Sequence, residues 1–333
     1  MTAARYFVTF LIWQCLCLTS AGAVDIIAHR GASGYLPEHT LASTTLAFTQ
    51  HPNYIEQDVV MSKDGVAVVL HDIHLETVTN VEAIYPHRAR EDGRWYVLDF
   101  TFDELQKLTV HERTDEQGNT VFPHRYQGQH GTFRIATLAS HIELIQQLNQ
   151  AFDTHVGFYT EIKSPAWHRE QGVDISAAVL VVLQHYGLTE NNGNLYIQCF
   201  DFEEIKRLRE TFHYKGKLIQ LFAENAWGES STDYDALLTE SGIKNLAKYV
   251  DGVGPWLPQL MDTKSLKNGQ LVVRPWVGYA KQAKLLIHPY TLRTDALPTK
   301  HSAETLLLWL TGPVGIDGLF TDQVPPVREF LSR

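Results

Sequence analysis

The sequence predicts an α/β protein folded as a (β/α)8 barrel. Three observations predict it. Short β-branched runs recur along the chain, helical periodicity fills the intervals, and the runs come to eight when one hairpin arm is counted with its strand. A doubly wound sheet is the alternative for such alternation, but no Gly-rich dinucleotide loop is present. The length, 333 residues, allows one large domain or two small ones.

The first strand is Asp25–His29, followed by a helical pattern over Leu41–Phe48. The second is Tyr54–Met61, which turns through Lys63-Asp64-Gly65 into Val66–Leu70. Asp-Gly between two alternating apolar runs is a strong hairpin signal. A hairpin centred on that dipeptide sets Asp58 opposite His71. Gly157–Ile162, Leu195–Cys199, Lys217–Leu221, Tyr249–Val253, Lys284–His288 and Gly318–Thr321 complete the strands. Helices are expected at Phe102–Leu108, Leu138–Leu148 and Ala303–Leu310, and over Phe202–Leu208 behind Asp201, a good N-cap. The stretch from His74 onward is too long for a simple crossover. Its polar, Gly-rich part, about residues 74–135, reads as an insertion after the hairpin, laid over one end of the barrel.

The chain begins with Arg5, an apolar run from Tyr6 to Leu18, and the small residues Ala21-Gly22-Ala23. That is the build of a secretory signal peptide, and the apolar run is shorter than the ~20 residues of a membrane span. Residues 1–23 are therefore expected to be an export signal and 24–333 a single barrel domain. An exported, periplasmic protein without stable membrane insertion is the expectation. Of three cysteines, two lie in the signal, which leaves Cys199 and no internal disulfide.

Hydrophobic residues make up 44% and charged residues 20%, which excludes a disordered chain. A formal charge of −10 argues against nucleic acid as the partner. The 16 histidines are unusual, but composition cannot say which of them work.

Chemistry in such barrels sits at the C-terminal ends of strands. His29 and Arg30 close the first strand. Glu56 and Asp58, two apart, face one side of the second, and Glu161 and Lys163 do the same on the next parallel strand. Each piece alone is weak: a His-Arg pair is commonly a salt bridge, and Glu-x-Asp is commonly a solvated face. The apolar Ile55 and Val59 on the opposite side argue for a buried strand. His29, Glu56, Asp58, His71 and Glu161 converge on one mouth, where three carboxylates repel each other unless a cation balances them. Oxygen ligands suit Ca²⁺ or Mg²⁺ better than zinc. The charged run Lys107–Glu116 reads as solvated surface. His168 and most other histidines read as loop or helix-face residues, while His288 at a strand end has either a pocket or a structural role. Phe200, Trp256 and Tyr290 fall near strand ends, where they could wall a pocket or pack the core.

Ile27-Ala28-His29-Arg30-Gly31-Ala32-Ser33-Gly34-Tyr35-Leu36-Pro37-Glu38-His39-Thr40 resembles the opening motif of glycerophosphodiester phosphodiesterases, most of all the periplasmic, glycerol-phosphate-pathway branch. Glu56-Gln57-Asp58, Val69-Leu70-His71-Asp72, Glu161-Ile162-Lys163 and Gln198-Cys199-Phe200-Asp201 are similar to its next blocks, in order. Asp251–Pro255, His288–Arg293 and Gly318–Asp322 continue the likeness over nearly the whole chain. His39 departs from the commoner Pro-Glu-Asn-Thr form but fits the periplasmic branch, and Trp256 stands where a more polar residue is expected. The resemblance implies a phospholipase-C-like TIM barrel and hydrolysis of glycerophosphodiesters. It implies catalytic roles for His29 and His71, and one divalent cation, Ca²⁺ before Mg²⁺, on Glu56, Asp58 and Glu161. Arg30, Lys163, Glu38, Phe200, Trp256 and Tyr290 are the candidates for contact with a small-molecule substrate. Two competing readings are an enzyme acting on intact phospholipid or phosphoinositide and a non-catalytic surface binding protein.

Overall fold

The computed structural model describes residues 24–128, 132–190, 194–267 and 270–333. The expected export signal, residues 1–23, lies outside the described residues. The eight barrel strands are β1 Asp25–Ala28, β2 Tyr54–Met61, β3 Gly157–Ile162, β4 Leu195–Cys199, β5 Lys217–Phe222, β6 Gly252–Pro255, β7 Leu286–Ile287 and β8 Gly318–Thr321. From β1 to β7 each strand pairs in parallel with its neighbours in chain order, and β8 pairs in parallel with β1. Between β7 and β8 the ring is closed by backbone bonds. Asp317 N–H donates to the Ile287 carbonyl and Phe320 N–H to the Pro289 carbonyl, both at 3.0 Å.

A helix follows every strand: α1 Leu41–Thr49, α2 Leu138–Phe152, α3 Ile175–His185, α4 Phe202–Glu210, α5 Glu240–Leu246, α6 Pro275–Gln282, α7 Ala303–Trp309 and α8 Val324–Leu331. Several start where a side-chain oxygen satisfies an orphan amide. Asp201 accepts from the N–H groups of Glu203 and Glu204, as its position suggests.

Strand alternation sorts the side chains into two cores. Outward residues such as Ile55, Val59, Phe158 and Ile197 pack under Ile142, Ile145, Leu183 and Ile205 of the helices. Inward residues Ile27, Tyr159, Tyr196, Ile219 and Phe320 fill the barrel. Tyr159 stacks on Tyr196 with centroids 4.9 Å apart, and its hydroxyl lies 3.0 Å from His288 Nδ1. His288 is thus a structural residue of the barrel centre, fully buried, and it does not line the site.

The hairpin register differs from the expected one by a single residue. Lys63-Asp64-Gly65 forms a three-residue loop with Gly65 in the left-handed region, φ +80°. Three-residue hairpins use glycine in that position, whereas a two-residue turn would have put the centre between Asp64 and Gly65. Val59 therefore pairs with Val69, and Leu70 N–H, not His71, bonds the Asp58 carbonyl. His71 is off the strand, two residues beyond its last residue, Val69. The return arm is confined to Ala67–Val69 and pairs on its far side with Ala136–Thr137.

β6 begins at Gly252 rather than Tyr249, because Tyr249 and Val250 still donate backbone bonds to Leu246 at the end of α5. A short antiparallel pair, Met261–Lys267 with Gln270–Val273, follows β6 and had no clear sequence signal. Between the hairpin and α2 the chain builds a second small core around Leu75, Val97, Phe100, Leu105 and Val110 against Val60 and Val68.

The barrel centre yields a stability prediction. Tyr159→Phe strips the hydroxyl from His288 and should cost about 1 kcal/mol, while Tyr159→Ala should cost about 3–5 kcal/mol. Urea unfolding midpoints check this; equal losses for the two variants would show that the stacked ring contributes nothing.

Candidate active site

The register of β2, β3 and β4 assembles the acidic centre. Asp58 pairs with Glu161, and Glu161 pairs with Gln198, so three inward side chains lie side by side at strand ends. One oxygen each from Glu56, Asp58 and Glu161 lies within 4.8 Å of the others, all buried. Burial, together with Asp58 and Glu161, holds the Glu56 carboxyl well above its ordinary range. Glu161 is pushed up to about 8 by burial and by Asp58, against the opposing charge of Lys163. Burial works against Asp58 as well, but the hydrogen bond and charge of His39 outweigh it and hold that carboxyl low. The negative charge of the trio is therefore costly to bury unless a cation offsets it. Asp58 Oδ1 and Gln198 Oε1 are buried oxygens with no hydrogen-bond donor. Oxygen-only donors, two of these oxygens unpartnered, and excess negative charge fit a hard divalent cation.

Each carboxylate is also held from outside. The Arg30 amide donates to Glu56 Oε2 at 2.9 Å, and Gln198 Nε2 donates to Glu56 Oε1 at 2.8 Å. His39 Nε2 lies 2.7 Å from Asp58 Oδ2, which leaves Oδ1 free. Lys163 Nζ pairs with Glu161 at 2.7 Å. Arg30 and His39 sit in left-handed backbone, φ +55° and +58°, a conformation tolerated only where the surroundings enforce it.

Both predicted histidines are anchored in the same way. His29 Nδ1 lies 2.7 Å from Asp322 Oδ1, and His71 Nδ1 lies 2.6 Å from Asp72 Oδ1. An ionised carboxylate only accepts, so Nδ1 carries the proton in both rings and Nε2 offers a lone pair. His29 Nε2 is 3.8 Å from Glu56, while His71 Nε2 is 3.5 Å from Lys163 Nζ. Burial and Arg30 lower the His29 pKa to about 4. Burial, Arg30 and Lys163 lower that of His71 to about 3. Burial thus favours the neutral ring in the unliganded site, which is the form a general base needs.

A cavity of about 190 Å³ opens on this centre. His29, Arg30, Glu56, Asp58, His71 and Glu161 line its polar side, and Phe200, Trp256, Tyr290 and Phe320 its aromatic side. Glu38 and Lys163, also expected at the substrate, do not line it. Lys163 borders a neighbouring cleft, and Glu38, a carboxylate clamped by Arg30 and Arg113, borders another beside His29 and His71.

Other parts of the site escaped sequence reasoning. Gln198 and Asp322 stand in the quoted motifs without an assigned role. Leu221, Trp227, Thr291 and Arg293 line the cavity from loops and strand ends with no local signal. The expectation that Lys107–Glu116 is solvated is corrected: Glu112 is 5% exposed and Arg113 is enclosed among Glu38 and Asp72. His168 is likewise buried, bonding the Met61 amide and the Ser164 carbonyl.

Comparison with known proteins agrees with this geometry. Residues 29–325 match the glycerophosphoryl diester phosphodiesterase family. A glycerophosphodiester phosphodiesterase of Haemophilus influenzae is 40% identical over 325 residues, covering 92% of this chain and 89% of its own. One from Treponema pallidum is 35% identical, covering 92% of both. Among solved structures, a phosphodiesterase of Oleispira antarctica in complex with the product sn-glycerol-3-phosphate superposes with a TM-score of 0.62 at 21% identity, covering 93% of this chain and 97% of its own. A glycerophosphodiester phosphodiesterase of Agrobacterium tumefaciens gives 0.59 at 18% identity, covering 93% and 100%. These two establish the TIM-barrel fold, and the sequence relatives establish the lineage. The chain belongs to the glycerophosphoryl diester phosphodiesterase family of enzymes.

Proposed function

We propose that this protein hydrolyses deacylated phospholipids, such as glycerophosphocholine and glycerophosphoethanolamine, to sn-glycerol 3-phosphate and the free alcohol, and that it does so with one divalent cation. The observation that carries the proposal is the buried trio Glu56, Asp58 and Glu161 between two carboxylate-anchored histidines. When bound there, the cation would neutralise charge on the non-bridging phosphate oxygens. Ca²⁺ is favoured over Mg²⁺ because it accepts several carboxylates directly, whereas Mg²⁺ keeps its waters.

The chain's own residues supply the rest. Arg30 offers planar donors to the phosphate, and Lys163, beside Glu161, adds a compact positive charge. His29 and His71 divide the proton work: one neutral ring takes the proton of the attacking hydroxyl at Nε2, and the other, protonated at Nε2 once the anionic phosphodiester is bound, gives that proton to the departing alcohol. The attacking group is the substrate's glycerol 2-hydroxyl. Its oxygen bonds to phosphorus as the alcohol oxygen leaves with a proton, and water then opens the cyclic phosphate. The aromatic wall of Phe200, Trp256 and Tyr290 faces the carbon skeleton. The cavity is of the scale of a deacylated headgroup rather than a diacyl lipid, and no helix among the described residues is long and apolar enough to cross a membrane. The signal-like start, Arg5 with the apolar run Tyr6–Leu18 and Ala21-Gly22-Ala23, is what supports an exported, periplasmic enzyme.

Glycerophosphocholine turnover by the purified protein should be abolished by thorough chelation and restored by Ca²⁺, releasing glycerol 3-phosphate. Release of choline phosphate, or indifference to chelation, would refute the bond assignment or the cation. His29→Ala and His71→Ala should each lower kcat by about 10²–10⁴-fold in folded protein. A rate near wild type for either removes its assigned role. An analogue lacking the glycerol 2-hydroxyl should be cleaved very poorly, and its normal turnover would exclude the cyclic route.

A further inference from the structure

We propose that Arg113 is a positioning residue that holds the histidine His71 and the phosphate-binding Arg30 in register with each other; this rests on the roles assigned above to those two side chains. Arg113 comes from the segment between the hairpin and α2, remote in sequence from both. All three of its guanidinium nitrogens are engaged. Nη2 and Nε take the two oxygens of Glu38 at 2.5 and 3.1 Å, and Nη1 takes Asp72 Oδ2 at 2.6 Å. Each carboxylate also holds a site residue. Glu38 accepts Arg30 Nη1 at 3.0 Å, and Asp72 Oδ1 lies 2.6 Å from His71 Nδ1.

The relay has two arms of different consequence. Through Asp72, Arg113 keeps the carboxylate ionised and turned toward His71, which fixes the ring's tautomer and orientation. Through Glu38, it neutralises and locates the anion that orients Arg30. Lysine could not replace it, because a single ammonium lacks the planar fork that spans two carboxylates.

The backbone makes Arg113 a fixed point. Thr114 N–H donates to the Thr77 carbonyl at 2.8 Å, His111 N–H to the Val78 carbonyl at 2.9 Å, and Val121 N–H to the Arg113 carbonyl at 3.1 Å. Thr77 in turn contacts Asp72 through its hydroxyl. The segment that carries Arg113 is thus tied to the stretch that carries Asp72, and a shift of one moves the other.

The test is a double-mutant cycle on the full-length enzyme with glycerophosphocholine and Ca²⁺. Arg113→Ala should lower kcat/KM by about 10–100-fold, the scale of groups that orient a ligand or catalytic residue from behind. Arg113→Lys should recover only part of this. Asp72→Asn should act mainly on kcat and Glu38→Gln mainly on KM. In an Asp72→Asn background, Arg113→Ala should lower kcat by no more than ~2–3-fold further, because the arm it served is already cut. Full multiplication of the two kcat effects, or wild-type kcat and KM in Arg113→Lys, overturns the relay. Should Arg113→Ala fail to fold, the Lys variant and the single-arm variants decide the matter. His71→Ala separates the two levels. If it retains its rate, the functional reading falls and the relay with it; if it is inactive and the cycle is multiplicative, the relay alone falls.

Discussion

Three buried carboxylates within 4.8 Å of each other impose the constraint that the rest of the mouth answers. Two like charges 4 Å apart repel by about 4 kcal/mol at an effective dielectric near 20, and burial adds the cost of lost hydration. The fold does not relieve this by separating them, since the parallel register of β2, β3 and β4 fixes their spacing. It surrounds them instead. A backbone amide from Arg30 and the Gln198 amide group take the two oxygens of Glu56, the His39 ring holds one oxygen of Asp58, and the Lys163 ammonium one of Glu161. They leave Asp58 Oδ1 buried and unpartnered.

Around that centre the charges are layered. The two histidines are neutral rings held by aspartates, and those aspartates are held by arginines. Asp322 pairs with Arg125 at 2.8 Å and with Arg293 at 2.9 Å, while Asp72 pairs with Arg113. Arg125 also reaches Asp295 in the loop after β7. Each layer fixes the orientation of the one inside it. A chain of formal charge −10 thereby still presents the guanidinium groups of Arg30 and Arg293 at its cavity.

Legibility in the sequence followed the range of the interaction. The strands and the inward pairs Glu56/Asp58 and Glu161/Lys163 could be read because side-chain alternation is a property of neighbouring residues. Boundaries were poorer where short helical turns run up to a strand, as at Tyr249 and Val250. The hairpin register slipped by one because two- and three-residue loops share the same Asp-Gly signature, and only the conformation of Gly65 separates them. Arg113 was misread because its local surroundings are charged and hairpin-like; its partners Glu38 and Asp72 lie 75 and 41 residues away. Asp322 lies 293 residues from the histidine it orients.

The sequence by itself determined the barrel class, the eight strands and the identity of the metal-fitting trio and both histidines, because these depend on periodicity and on residue types at strand ends. Only the tertiary structure decided which nitrogen of each histidine is held by an aspartate, that Glu38 is clamped between two arginines, that His288 belongs to the barrel core, and that Arg113 reaches both Glu38 and Asp72. Those outcomes depend on contacts between segments brought together by barrel closure, and no local pattern in the chain encodes the geometry of that closure.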